Sequence, residues 1–144
     1  PDMIKEFLDE KLVDYIAMDI KAPLGANSQF PISNSQKNYE ITKYEYVTGV
    51  TLDLEKIKKS ISIIMNSSIE YEFRTTILPK LLSKEDISRI LEDIRGAQTY
   101  TLQNFISSNK LMSPKLKGEK SYSRQALNEF IELAKGFVNS CQIR

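Results

Sequence analysis

The sequence predicts an α/β protein built on a parallel sheet. Short β-prone runs alternate with amphipathic helical stretches in the order α-β-α-β-α-β-α, with a short final strand. The first run, Val13-Asp14-Tyr15-Ile16-Ala17-Met18-Asp19-Ile20, is mostly apolar on both alternating faces, as strands inside parallel sheets are. Strand–helix–strand units close by right-handed crossovers, so successive strands lie parallel.

Ile4, Phe7, Leu8 and Leu12 recur at helical spacing and predict a helix over 2–11 with one buried face. The strand over 13–20 follows, ended by Ala22-Pro23-Leu24-Gly25. Residues 25–50 are polar and predict a long loop, with a helical turn near Tyr44–Val47. Asp53 is placed to cap a helix over 53–66, whose stripe is Leu54, Ile57, Ile61, Ile64 and Met65. Residues 71–78 alternate and predict a second strand, stopped by Pro79. Ser83-Lys84-Glu85-Asp86 has the spacing of a capping box, opening a helix with stripe Ile87, Ile90, Leu91 and Ile94. Gly96 stands where a left-handed cap belongs. A third strand covers 99–105 and a polar loop 107–122. Ser123 caps a last helix, with Tyr122 and Leu127 spaced as a hydrophobic staple and Leu127, Phe130, Ile131 and Ala134 inward. Residues 140–143 form the final strand.

Composition narrows the chemistry. The 144 residues suit one domain or part of one, and the opening Pro1-Asp2-Met3-Ile4 is not an initiation context, so a longer parent is expected. A net charge of +1 offers no field for nucleic acid or an anionic membrane. No apolar run is long enough for a membrane span, and a cytoplasmic protein is expected. One cysteine, Cys141, and no histidine exclude an intrachain disulfide and leave too few thiolates to hold an iron–sulfur cluster. Cys141 itself reads as a small apolar residue.

Ligands of α/β sheets bind beyond the C-terminal strand ends. Alternation puts Ala17, Asp19 and Lys21 on one face of the first strand, Glu72, Arg74 and Thr76 on one face of the second, and Thr101, Gln103 and Phe105 on one face of the third. If these faces meet, four charges and a glutamine line a shared hollow, which makes a polar cavity more economical than buried unpaired ions. Other readings stay open. Asp19 and Lys21 could be the first solvated residues past a strand, Arg74 could pair with Glu72, and Gln103 could be an ordinary hydrogen-bonding residue.

Leu12-Val13-Asp14-Tyr15-Ile16-Ala17-Met18-Asp19-Ile20-Lys21-Ala22-Pro23 resembles a segment of the anaerobic ribonucleoside-triphosphate reductase activating proteins, members of the radical S-adenosylmethionine (SAM) superfamily. Tyr44-Glu45-Tyr46-Val47-Thr48-Gly49, Tyr71-Glu72-Phe73-Arg74-Thr75-Thr76 and Thr101-Leu102-Gln103-Asn104-Phe105 resemble later landmarks in the same order, and Gln142-Ile143-Arg144 the family's end. The resemblance covers nearly the whole chain, 1–144.

It implies a partial (β/α) barrel of six strands, of which this chain supplies about the last three β/α units. It further implies SAM and a [4Fe–4S] cluster as cofactors of the parent. The CxxxCxxC loop for the cluster and the glycine-rich strand end for the SAM amino group are absent from this chain. The implied reaction splits SAM to a 5′-deoxyadenosyl radical, which takes hydrogen from a backbone glycine of a partner such as an anaerobic ribonucleotide reductase. An electron-donor protein is the other implied partner. By resemblance Asp19 and Lys21 lie near SAM and Arg74 reaches its carboxylate, a task that suits a guanidinium fork. Gln103, or Asn104, stands where a relative has a histidine near SAM. The fragment alone is expected to be inactive, the 25–50 loop to cover the cavity or touch the protein substrate, and the bare strand 13–20 to promote self-association. Alternatives are a barrel enzyme with Lys21 as Schiff-base lysine and a non-catalytic partner-binding fragment.

Overall fold

The computed structural model describes residues 1–25, 29–30, 41–107 and 116–144. The expected loops at 25–50 and 107–122 therefore lie partly outside the described residues. The elements are α1 (Asp2–Asp9), β1 (Tyr15–Asp19), β2 (Gln29–Phe30), β3 (Ile41–Thr42), α2 (Lys43–Thr48), α3 (Leu54–Met65), β4 (Glu70–Ile77), α4 (Lys84–Asp93), β5 (Thr99–Asn104), α5 (Arg124–Ala134) and β6 (Ser140–Ile143).

The main sheet is four-stranded and parallel, in the order β1-β4-β5-β6. Strand order climbs in one direction without reversal. Right-handed crossovers then put every connecting helix on the same face. That face is the core: Ile20, Tyr71, Phe73, Ile77, Tyr100 and Leu102 from the strands meet Ile61, Ile64, Ile87, Ile90, Leu91, Ile94, Leu127, Phe130 and Ala134 from α3, α4 and α5. Burial of these side chains supplies the main drive to fold. The opposite face carries the polar alternate residues.

Local signals act as the sequence predicts at most helix ends. Asp53 accepts from the Glu55 N–H, Ser83 and Asp86 form a reciprocal capping box, and Ser123 accepts from the Ala126 N–H. Gly96 is left-handed at φ 87° and donates its N–H to the Phe137 carbonyl. Tyr122 sits before α5 as expected, with its ring edge-on to Phe130 at 4.9 Å. Ile131 is only half-buried, whereas Leu127, Phe130 and Ala134 are buried.

Three expectations are corrected. α1 has no buried residue: Ile4 and Leu8 are half-buried, while Met3, Phe7 and Leu12 are exposed. It packs along α3, with Ile4 against the core. β1 is shorter than 13–20 because its ladder starts only where β4 does, at Tyr15↔Glu70. The 25–50 segment holds more than one helical turn. β2 and β3 pair antiparallel, and α2 is a full short helix with its own capping box, Thr42 with Glu45, closed by left-handed Gly49 at φ 74°.

α1 also ends earlier than 11, in a six-to-one closure. Leu12 N–H donates to the Phe7 carbonyl and Lys11 N–H to that of Leu8, with Lys11 at φ 54°. This left-handed position favours glycine, because a Cβ there crowds the backbone. Lys11→Gly should therefore raise stability by about 1 kcal/mol. The check is a higher urea midpoint at unchanged slope; a midpoint at or below the parent's would show that the lysine is not strained.

Candidate functional site

Parallel register aligns the polar face into rows. Asp19, Arg74, Thr101 and Gln142 are successive partners across the four strands. The next row toward the C-terminal ends includes Thr76 and Gln103. Lys21 follows β1 on the same side.

Asp19 holds the centre of the first cluster. Its Oδ2 accepts from Lys21 Nζ at 2.7 Å and its Oδ1 from Arg74 Nε at 2.9 Å. Partial burial pushes this carboxyl up, but the bonds from Lys21 and Arg74 and their charges outweigh it and hold the pKa below the ordinary value. The two cations keep spare donors. Among the described residues Arg74 bonds only through Nε, so its two terminal nitrogens carry no hydrogen bond, and its side chain is 30% exposed. The cluster thus offers one carboxylate and two converging cations at the C-terminal strand ends, a set suited to a zwitterionic amino-acid group.

A second cluster lies beside it on the same face. Glu72 is almost wholly buried, with its side chain 4% exposed. Thr101 donates to its Oε2 at 2.6 Å and Arg144 to its Oε1 at 3.2 Å, while the Gln142 amide donates to Thr101 Oγ1 at 3.0 Å. Burial raises the Glu72 carboxyl, yet the Thr101 bond and the Arg144 charge leave its pKa below the ordinary value. Here the structure decides between open readings: Arg74 pairs with Asp19, and Glu72 pairs with Arg144 rather than with Arg74. The four charges on this face fall into two hydrogen-bonded sets, and the Arg74 charge also acts on Glu72.

Gln103 shares the face but not the charged trio; its Oε1 accepts from Thr76 Oγ1 at 3.3 Å. Asn104 is engaged elsewhere, donating to the Tyr122 carbonyl and accepting its N–H. Cys141 is register partner to Tyr100 on the helix-covered face, and burial pushes its thiol up to about 11, so it is no reactive thiolate. No group of three or more potential metal ligands occurs among the described residues. A cleft of about 580 Å³ opens at the N-terminal strand ends, lined by Lys5, Lys11, Asp14 and others, and takes in none of these site residues.

Sequence reasoning missed the contacts that pin the β1 end. Ile20 N–H donates to the Arg74 carbonyl, Thr75 Oγ1 donates to the Ile20 carbonyl, and the Leu24 N–H donates to Asp93 Oδ2. The Lys21 N–H donates to the Tyr44 hydroxyl of α2 at 3.2 Å. Gln142 and Arg144 stood out only within the closing segment that resembles the family's end, with no place in the site.

The acid response follows from these groups. Asp19 and Glu72 have folded pKa values below their unfolded ones, so their stabilisation is complete above the unfolded values and is lost as pH falls through the folded ones. Asp93 works in the opposite sense, since burial raises its carboxyl and ionising it costs stability. Glu72→Gln should flatten the loss of stability between neutral and strongly acid pH, whereas Asp93→Asn should steepen it. Urea midpoints across that range check both signs.

Fold and site together define an α/β chain with a singly wound parallel sheet and an acidic–basic cluster at its C-terminal strand ends. No protein-family model and no solved structure matches the chain. The sequence is similar to a Methanocaldococcus jannaschii protein named "Putative glycyl-radical enzyme activating enzyme", with 26% identity over 151 aligned positions. That alignment takes in 100% of this chain and 54% of the relative, so the chain spans about half the length of the curated relative it matches. No helix among the described residues is long and apolar enough to cross a membrane.

Proposed function

We propose that this chain is the SAM-binding part of a radical SAM activating enzyme, which generates a glycyl radical on a partner of the anaerobic ribonucleotide reductase type. The observation that carries the reading is the Asp19–Lys21–Arg74 cluster, with the terminal nitrogens of Arg74 unbonded among the described residues. The similarity to a named glycyl-radical activating enzyme, which takes in the whole chain, supports the same class.

The residues fit the nucleoside's amino-acid end. The Arg74 fork and the Lys21 ammonium would hold its carboxylate, and Asp19 would accept from a donor of the ligand while keeping both cations in place. Gln103, one row further along, would make a neutral contact. Bound SAM would supply the radical chemistry, and the protein would orient and shield it. The residues do not fit a [4Fe–4S] cluster, since Cys141 is a single, buried-side thiol. Cluster, electron donor and protein partner all belong to the whole enzyme.

The one-way strand order supports a partial barrel in which the polar face looks inward and these strands are the last of six. On that reading β1 should have another strand at its outer edge, with Met3, Phe7 and Leu12 near that side. The isolated chain should self-associate through this edge. Light scattering at high concentration checks it, and a tight monomer would contradict it.

The Schiff-base alternative is less well supported. Lys21 is ion-paired at 2.7 Å and its side chain is 42% exposed, whereas a nucleophilic lysine needs desolvation or a neighbouring cation without a paired carboxylate. Calorimetric titration with SAM, alongside borohydride trapping with carbonyl compounds, separates the two. SAM binding without a trapped adduct supports the activase reading, and a trapped adduct at Lys21 overturns it.

A further inference from the structure

Lys21 lies one residue beyond the last ladder bond of β1, which runs from the Ile20 N–H to the Arg74 carbonyl. Among the described residues its backbone N–H has no strand partner, and its acceptor comes from α2 instead. The Tyr44 hydroxyl sits 3.2 Å from it, on a ring only 3% exposed.

α2 is itself held firmly. Its first turn is set by the Thr42–Glu45 capping box and its last by left-handed Gly49. Lys43 Nζ pairs with Asp86 Oδ2 at 3.1 Å, with side chains 5% and 10% exposed, tying α2 to the start of α4. The hydroxyl that meets Lys21 is thus carried on a short helix anchored on two sides. A side chain locked by packing fixes a neighbouring functional group more tightly than a loop residue could.

We infer that Tyr44 is a positioning residue of the Asp19–Lys21–Arg74 cluster: its hydroxyl fixes the Lys21 backbone, and so the geometry in which the Lys21 ammonium meets Asp19. Burial, and the Asp19 charge to a lesser degree, outweigh the Lys21 bond and raise the Tyr44 pKa above its ordinary value, so the phenol is protonated near neutral pH as any tyrosine is. The protonated oxygen still accepts from the Lys21 N–H through a lone pair. The link to ligand binding rests on the SAM reading above; the link to the charge cluster does not.

Three measurements test it. In the unaltered chain the Lys21 amide should exchange slowly with solvent hydrogen; an unprotected amide would overturn the inference without any variant. In Tyr44→Phe the Asp19 carboxyl, followed by NMR without ligand, should titrate at higher pH than in the parent. In Ile64→Val, a core change beneath α3, it should not move even where the melting temperature falls as far. An unchanged Asp19 midpoint in Tyr44→Phe would overturn the inference. SAM affinity should drop about five-fold in Tyr44→Phe and stay constant in Ile64→Val. If the parent binds no SAM while the Asp19 midpoint still moves, the SAM reading fails and the positioning role stands.

Discussion

Arg74→Ala should weaken SAM binding by about 30- to 100-fold, the largest functional effect expected of any single substitution in this chain. The guanidinium binds Asp19 through Nε, and among the described residues its two terminal nitrogens have no other bond, which leaves them for a ligand carboxylate on the SAM reading. Arg74→Lys should recover only part of the loss, because an ammonium lacks the planar fork. The variant should remain folded: Asp19 keeps its 2.7 Å bond to Lys21, and the Arg74 side chain is partly exposed already. Lys135→Ala, which removes an exposed cation paired with Glu132 on the helical side, is the control and should bind as the parent does. Calorimetry on all three decides the matter. Equal affinities for Arg74→Ala and Lys135→Ala would end the assignment of Arg74 to the ligand.

The largest effect on stability is expected at Lys43. Its ion pair with Asp86 is shielded from water, and Lys43 also lies 5.9 Å from the Tyr46 ring. Removing one member of such a pair strands the other charge, which costs about 3–5 kcal/mol. Lys43→Met should therefore lower the urea midpoint severely. Asp86 has a second task, since its Oδ2 accepts the Ser83 N–H at 2.8 Å in the α4 capping box. Asp86→Asn keeps an acceptor for that bond and removes the charge. The double variant Lys43→Met with Asp86→Asn should regain much of what Lys43→Met loses. Additive losses in the two single variants would mean the charges are not coupled.

These two predictions differ in how far they were legible beforehand. Arg74 could be singled out from alternation along Tyr71–Leu78, which placed it on the polar face with Glu72 and Thr76. Nothing in the pattern marked Lys43 or Tyr44 as buried anchors, since both lie in a polar stretch whose helix is short. The α1 stripe was equally misleading. Its spacing correctly predicts a helix, but spacing cannot say whether an apolar face has a partner, and Met3 and Phe7 remain exposed.

The strands of the main sheet, the helices α3, α4 and α5 with their N-caps, and the strand faces were readable from the residues alone, because each depends on neighbours a few positions apart: period two in strands, near four in helices, and a side-chain oxygen reaching an amide two or three residues on. The partners of the charges were not readable. Asp19 meets Arg74 across 55 residues, and Glu72 meets Arg144 across 72. Such pairings follow from strand register and from where α2 packs, which only the assembled sheet sets, because ion pairs form between groups that packing brings within a few ångströms, whatever their distance along the chain.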